Sequence, residues 1–410
     1  MLDGPFKNFT PQWPPVVTMQ VMQSMDSALH HITDRIRAAS ADATTLRIRG
    51  GGSKDFYGNC LQGELLDTNA LNGILSYEPT ELVVTVGAGT PLAELETLLA
   101  GRGQCLAFEP PHFSWSQSPG ATAASAATVG GMVAAGLSGP ARASAGAVRE
   151  YVLGLHMING MGEELVFGGQ VMKNVAGYDV SRMMVGSMGT LGLITELSLK
   201  VLPVAPLEAT LVFALDQANA LECLHRWGGQ PLPLNASCWL HDDTASTGAQ
   251  ELLFVRLRGA VAAVEAACSK MLAEQPGQRM DNAQAQVDWA LCRNQQLPFF
   301  KRPLADNMAL WRLSVAQTAP VLDLPWAQLL EWHGGLRWLW APLDAAEQLQ
   351  AVAIKHHGSA TLFIAPHANP AGATSRFGIQ DRVQMAIQQR LKHSLDPKAI
   401  FNPQRLFQAF

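Results

Sequence analysis

The chain has 410 residues, 48% of them apolar and only 15% charged, enough for two or three sizeable cores at roughly 100–200 residues per domain, which excludes a disordered protein. Against 34 acidic side chains stand 29 basic ones, a formal charge of -5, and no Lys/Arg block of the kind that neutralises phosphates argues for a nucleic-acid ligand. So thin a charge leaves surface for a partner.

Residues 1–20 are Pro-rich and aperiodic and read as a mobile arm or partner-docking extension. Met25, Leu29, Ile32 and Ile36 recur at helical spacing, and a strand holding Leu46 and Ile48 follows. Leu82 to Val86 reads as a strand. Thr90 can cap a following helix with Pro91 at its first position and Leu92, Leu95 and Leu99 inward, and Gly101 stops it. With a short strand at Cys105 to Phe108, residues 82–108 are expected to form a β-α-β unit. Strands are predicted at Tyr151 to Ile158, Glu164 to Phe167 and Leu193 to Leu202. The last alternates Leu197, Leu199 and Val201 with Glu196, Ser198 and Lys200, as a half-buried antiparallel strand does. Pro203 and Pro206 punctuate the chain. Beyond them come helices near 216–227 and 344–356, and strands near 251–257, 308–315, 335–340 and 360–364, an alternation that predicts an α+β fold with an antiparallel sheet.

Six cysteines, at 60, 105, 223, 238, 268 and 292, include no CxxC pair, so the chain supplies no zinc or iron–sulfur nest and reads as a cytoplasmic protein with reduced thiols. The first forty residues carry no signal-peptide pattern. Phe113 to Ala141 lacks Asp, Glu, Lys and Arg, yet Ala, Gly, Ser and Thr dominate it, whereas a membrane span needs about 20 strongly apolar residues.

Three segments can carry chemistry. The strand ending at Arg49 runs into Gly50, Gly51, Gly52, Ser53 and Lys54. Without β-carbons such a turn can present successive N–H groups to a pyrophosphate, with Ser53 donating and Arg49 and Lys54 adding charge, though three glycines alone also describe an ordinary surface turn. Neither GxxxxGK[ST] nor GxGxxG is present. Next, Ser118-Pro119-Gly120-Ala121-Thr122 leads to a run of small residues from Thr128 to Pro140, which suits either a backbone laid against an extended ligand or tight helix packing. Last, Lys173, Asn174, Gly177, Tyr178 and Asp179 precede glycines at 186, 189 and 192 and the strand carrying Ile194, whose side chain is expected on the face opposite Leu193 and Leu197.

Together these segments resemble the flavin-binding domain of the vanillyl-alcohol oxidase and p-cresol methylhydroxylase family, and Asp396-Pro397 with Ile400-Phe401-Asn402-Pro403 resembles that family's C-terminal return to the flavin. Within the family, LDTNALNGILSYEPTELVVTVGAGTPLAELE (66–96), GGMVAAGLSGPARASAGAVREYVLG (130–154) and GGQVMKNVAGYDVSRMMVGSMGTLGLITELSLKVLP (168–203) are similar to the FAD-binding subunits of glycolate oxidase complexes. The resemblance implies a two-part FAD-binding domain at 21–205, an α+β cap at 206–390 and a tail at 391–410 that returns to the FAD domain. It implies FAD held by Arg49 to Lys54 at the pyrophosphate, by Thr128, Val129, Gly130, Gly131, Ala134, Gly136, Ser138, Gly139 and Gly146 along the dinucleotide, by Ile194, and by Asn402 from the tail. The family sometimes fixes flavin through a His in the Gly-rich loop. This loop has none, so noncovalent FAD is expected.

The same resemblance implies oxidation of glycolate to glyoxylate, with electrons passed through the flavin to an acceptor, and partners in a second FAD-containing catalytic subunit and an iron–sulfur subunit, through which the chain can sit at the inner membrane surface. One departure matters. The related D-type 2-hydroxyacid dehydrogenases carry His-x-Gly-Asp-Gly-Asn-x-His in the cap, where imidazoles and carboxylates can hold a metal and take a proton. This chain has only His357 before Gly358 to Phe363, which reads as a helix-end His, so the sequence names no catalytic residue and no metal ligand. Arg256, Arg258, Arg312 and Arg337 are candidates to meet a substrate carboxylate. Trp338 and Trp340 share a sheet face. An independent FAD-dependent alcohol or 2-hydroxyacid oxidoreductase and a non-catalytic scaffold subunit stay open as readings.

Overall fold

The computed structural model describes residues 19–113, 127–169, 179–243, 248–301, 303, 305, 307–366, 375–378 and 381–407. The arm at 1–18, Ser118 to Thr122, and Lys173, Asn174, Gly177 and Tyr178 lie outside them. Helix α1 (Met19–Asp42) opens the described chain, and its predicted stripe is the packed one, with Ile32, Ile36 and Ala39 buried beside Met25 and Leu29. Strands β1 (Leu46–Arg49) and β2 (Glu64–Asp67) form a parallel pair. Next come β3 (Ile74–Glu78), β4 (Val83–Gly87), α2 (Leu92–Ala100), β5 (Gln104–Cys105), α3 (Val129–Ala135), α4 (Arg142–Ala145), β6 (Val152–Ile158), β7 (Glu164–Gly168), α5 (Val180–Met183), β8 (Leu193–Lys200) and β9 (Leu202–Pro203). Five of these strands make an antiparallel sheet in the order β3-β4-β8-β6-β7.

Three local expectations change here. Residues 82–108 form no β-α-β unit, because both edges of β4 are taken by β3 and β8; β5 instead pairs antiparallel with β9, pinned by Gln104, which accepts from the Tyr77 hydroxyl at 2.8 Å and donates to the Pro79 carbonyl at 2.9 Å. Pro91, not Thr90, is the cap residue of α2. The Thr90 hydroxyl instead donates to the Gly73 carbonyl and accepts from its N–H. In β8 the register pairs Met157 with Ile194 but His156 with Glu196, so Thr195 is an extra residue that reverses the alternation. Ile194 therefore shares a core with Leu197 and Leu199, while Leu193 packs toward α1.

The second half holds β10 (Leu207–Ala214), α6 (Gln217–Gly228), β11 (Leu234–Asp242), β12 (Gln250–Gly259), α7 (Val261–Glu274), β13 (Gln278–Arg279), α8 (Asn282–Arg293), β14 (Met308–Ser314), β15 (Gln328–Glu331), β16 (Leu336–Pro342), α9 (Ala346–Lys355) and β17 (Ser359–Ile364). Its eight strands form an antiparallel sheet ordered β13-β10-β12-β11-β15-β16-β14-β17, as the α+β reading expected. Helices α6, α7 and α9 cover one face. The other face is turned to the first half, where Trp289, Trp332, Trp338, Trp340 and Phe363 pack with Tyr57, Phe113, Leu137 and Met188. Trp338 and Trp340 are thus core residues of this seam, each aromatic there removing roughly 150–250 Å² from water. The last helix, α10 (Arg382–Leu395), leads to a tail that crosses back, Phe401 bridging to Leu46 of β1.

Candidate functional site

The glycine turn lies directly on the next segment. A β-carbon on Gly50 would stand 2.5 Å from the Thr128 hydroxyl oxygen, and Gly52 has a φ of 75°, a left-handed conformation that favours glycine. Thr128 caps α3 by accepting from the Gly131 N–H at 3.2 Å, and a β-carbon on Gly130 would come within 2.7 Å of that of Ala88 on the neighbouring loop. Small residues here let three backbones touch.

Charge in the turn is divided unequally. Arg49 Nε donates to Asp55 at 2.8 Å, so its charge is already met. Lys54 donates to Ser53 Oγ at 3.2 Å and lies 5.7 Å from the Phe113 ring, and burial pulls its ammonium down to about 8. No carboxylate pairs with it among the described residues. A cation held this way has room for an anion.

The tail fixes the turn from behind. Asn402 accepts from the Ile48 N–H and donates to the Met188 carbonyl, both at 2.7 Å, so its amide is locked against Gly189. Lys392, 3% exposed, donates to the carbonyls of Thr190 and Phe401 and to Asp396, which itself accepts from Ile400 and Phe401 N–H. Burial pulls Lys392 down while Asp396 pulls it back. Arg405 donates to the carbonyls of Lys54, Asp55, Tyr57 and Asn59, gathering the loop that follows the glycines around one guanidinium. Lys392 and Arg405 are absent from the sequence reading. The nearest signal was the tail motif between them.

These parts enclose a groove with a cavity volume of about 120 Å³ that brings together Arg49, Gly50, Gly51, Gly52, Ser53, Lys54, Thr128, Gly130, Gly131, Ala134, Ile194 and Asn402, with Gly189 and Gly192 among its lining. Of the other residues singled out from the sequence, Val129 is fully buried at the first position of α3, Gly136 ends that helix with φ 65°, and Gly146 ends α4 with φ 96°. Ser138 and Gly139 line a second, smaller cavity of about 20 Å³ at the seam, together with Arg312, Glu331 and Trp332.

The four candidate arginines separate cleanly. Arg256 and Arg258 pair with Glu109 and Arg258 also with Glu208. Burial pushes Glu109 up, but the two arginines outweigh it and hold its carboxyl below the usual range. Arg337 is fully buried and donates to the carbonyls of Gly334 and Ala319. Arg312 alone of the four faces the seam cavity, its guanidinium 5.1 Å from the Trp332 ring. His357 is the exposed helix-end residue that the sequence suggested.

Comparison with known proteins gives the family. Residues 29–168 match the family described as FAD binding domain. Over 376 residues, 92% of this chain and 96% of the relative, the chain is 39% identical to glycolate oxidase subunit GlcE of Escherichia coli (strain K12). It is 31% identical over 174 residues to glycolate oxidase subunit GlcD of Bacillus subtilis (strain 168), covering 42% of this chain and 35% of that one. To D-2-hydroxyglutarate dehydrogenase of Xanthomonas citri pv. viticola it is 28% identical over 218 residues, 52% of this chain and 43% of that one. Among solved structures, alkyldihydroxyacetonephosphate synthase superposes with a TM-score of 0.64 at 16% identity over 92% of this chain and 76% of that one, which speaks for the fold alone. No helix among the described residues is long and apolar enough to cross a membrane. With a relative matched across nearly its whole length and the glycine segments gathered into one groove, the chain belongs to the family of the glycolate oxidase subunit GlcE, FAD-linked oxidoreductases of the vanillyl-alcohol oxidase and p-cresol methylhydroxylase type.

Proposed function

We propose that this chain is the FAD-carrying subunit of a glycolate oxidase complex, assembled with a second FAD-containing catalytic subunit and an iron–sulfur subunit. Its FAD-binding domain would span residues 21–205, its cap 206–390 and its returning tail 391–410, a division supported by the change of sheet between β9 and β10. The observation that carries the reading is the groove in which the Gly50–Lys54 turn, α3 and the Gly189–Ile194 segment meet around a half-buried Lys54 that has no carboxylate partner among the described residues.

The residues present fit the cofactor. Gly50, Gly51, Gly52 and Ser53 would present N–H and hydroxyl donors to its pyrophosphate while Lys54 offsets the charge, and the absent β-carbons are what leave the cradle open. When bound, FAD supplies hydride acceptance from an alcohol carbon and onward electron transfer. Asn402 and Arg405 keep the turn in shape, the packed seam excludes water, and Ser138 and Gly139 line the cavity containing Arg312. The Gly-rich turn contains no His to form a covalent link, so the cofactor is held noncovalently.

Co-purification with flavin and iron analysis tests this. The reading expects FAD in the supernatant after denaturation of the purified chain, and iron only when the partner subunits are present. A folded chain that takes up no FAD overturns it. An independent 2-hydroxyacid oxidoreductase is the second reading, favoured by Arg312 in the seam cavity.

A further inference from the structure

A larger space lies within the second half. It measures about 540 Å³, runs between α8, the large sheet and the segment Leu297 to Phe299, and shares no lining residue with the glycine groove. Helix α8 gives it one stripe, Ala285, Asp288, Trp289 and Cys292, at positions i, i+3, i+4 and i+7. Strand β11 gives Cys238, Leu240 and Asp242, alternate residues of one sheet face, and Phe254 of β12 is the register partner of Cys238. Thr210 of β10, which accepts from Trp289 Nε1 at 3.0 Å, completes that wall.

The lining is graded along β11. Thr210, Cys238, Ala285, Trp289 and Cys292 border the space yet are at most 6% exposed, so it reaches deep beneath α8. Leu240, Phe254, Met280, Leu297 and Phe299 are half-buried and apolar. Where the strand ends, the lining turns polar, with Asp242 half-buried and His241 and Asp243 exposed, and Asp288 stands half-buried on α8. Among the described lining residues there are three carboxylates and no Lys or Arg. From Cys238 to Asp242 the strand advances about 13 Å, at about 3.3 Å per residue.

Size and wall chemistry together select the occupant. Small-molecule sites enclose about 300–1,000 Å³ behind mostly apolar walls with few polar groups. The broad face of a partner protein cannot reach side chains as covered as Cys238 and Cys292, whereas a slender molecule can. Carboxylates at the outer end attract a cation and repel an anion, and a cation on an apolar stem buries the stem while its head stays wet. We propose that this cavity binds an amphipathic organic cation, its apolar stem lying along β11 and α8 and its ammonium head among the carboxylates at the strand end. The site makes no use of a flavin and stands apart from the functional reading above.

Calorimetry on the full chain at about pH 7 tests it, with decylammonium as probe and decanoate as the same kind of stem with the opposite charge, both below their micellar concentrations. Decylammonium is expected to saturate one site per chain with a Kd of about 1 mM or tighter, and to bind at least about tenfold more tightly than decanoate. Asp243→Asn/Asp288→Asn, a change at an exposed and a half-buried position, should cut that preference by about three- to tenfold. Leu240→Trp, which fills the space from the sheet, should weaken both probes by at least about tenfold. No saturable decylammonium binding, equal affinity for the two probes, an unchanged preference in the Asn variant, or wild-type affinity in a folded Leu240→Trp chain overturns the proposal. Should the tryptophan variant fail to fold, the Asn variant and the decanoate comparison still decide it.

Discussion

Glu109 and Arg256 meet across the seam, Nη2 of the arginine donating to both carboxylate oxygens at 2.7 and 2.6 Å, with Arg256 only 3% exposed and stacked 4.8 Å from the Trp289 ring. Glu109 comes from the first half, with φ 50°, and Arg256 from the middle of the large sheet. Removing one partner strands a buried charge. Glu109→Ala is therefore expected to cost about 3–5 kcal/mol, and the double variant Glu109→Ala/Arg256→Met to recover part of it. Denaturant unfolding of the four proteins checks this, and a double variant whose loss equals the sum of the two single losses would show that the pair is not coupled.

Gly50→Ala should lower flavin retention sharply, because the new methyl would stand 2.5 Å from the Thr128 oxygen and push the turn off α3. Gly228→Ala, where nothing lies within 4 Å of the added carbon, is the control. Flavin absorbance per protein after gel filtration reads the difference, and the two variants should separate by about tenfold or more in cofactor affinity, the equivalent of about 1.4 kcal/mol.

Lys54→Met is expected to weaken FAD binding by about 10–100-fold, the size of a lost charge-assisted hydrogen bond. The cofactor-free chain should behave oppositely. Folded Lys54 is lowered to about 8 from 10.5, so the native state binds fewer protons than the unfolded chain between those values and below them carries a penalty that fades as pH rises through the window. The methionine variant has no such penalty. Its thermal midpoint near neutral pH should match or exceed the wild-type midpoint, with the gap closing toward pH 10.5.

Acid should loosen the seam through His333. Its ring nitrogens face Ser144 at 3.2 Å and Ser237 at 3.1 Å, and burial lowers it to about 4 from 6.5. Because the folded value is depressed, the unfolded chain takes the proton first, so the contribution is complete above 6.5 and is lost as pH falls toward 4. His333→Asn should flatten the loss of stability across that range by roughly 1–3 kcal/mol. Identical pH profiles for the two proteins would refute this.

The groove was legible because its chemistry is local: three glycines in a row at 50–52 and a run of small residues after Thr128 announce backbone exposed to something large. The residues that hold it were not. Lys392 sits among Gln384, Gln388, Arg390 and His393 on α10 and reads as part of a solvated face, yet it is 3% exposed, and its partners Thr190 and Phe401 give no side-chain pattern to match. Arg405 bonds only to carbonyls about 350 positions earlier, where any residue would serve as acceptor. The reversed phase of Ile194 came from a bulge at Thr195 that no alternation reveals.

The clasp formed by Asn402 and Arg405 also sets an order of events during synthesis. The ribosome makes the glycine turn some 350 residues before the two side chains that shape it, Asn402 and Arg405. A nascent chain therefore holds the turn unclasped until Asn402 and Arg405 have left the ribosome, and a product terminated before them, however much of both sheets it has assembled, leaves the turn without its fastening.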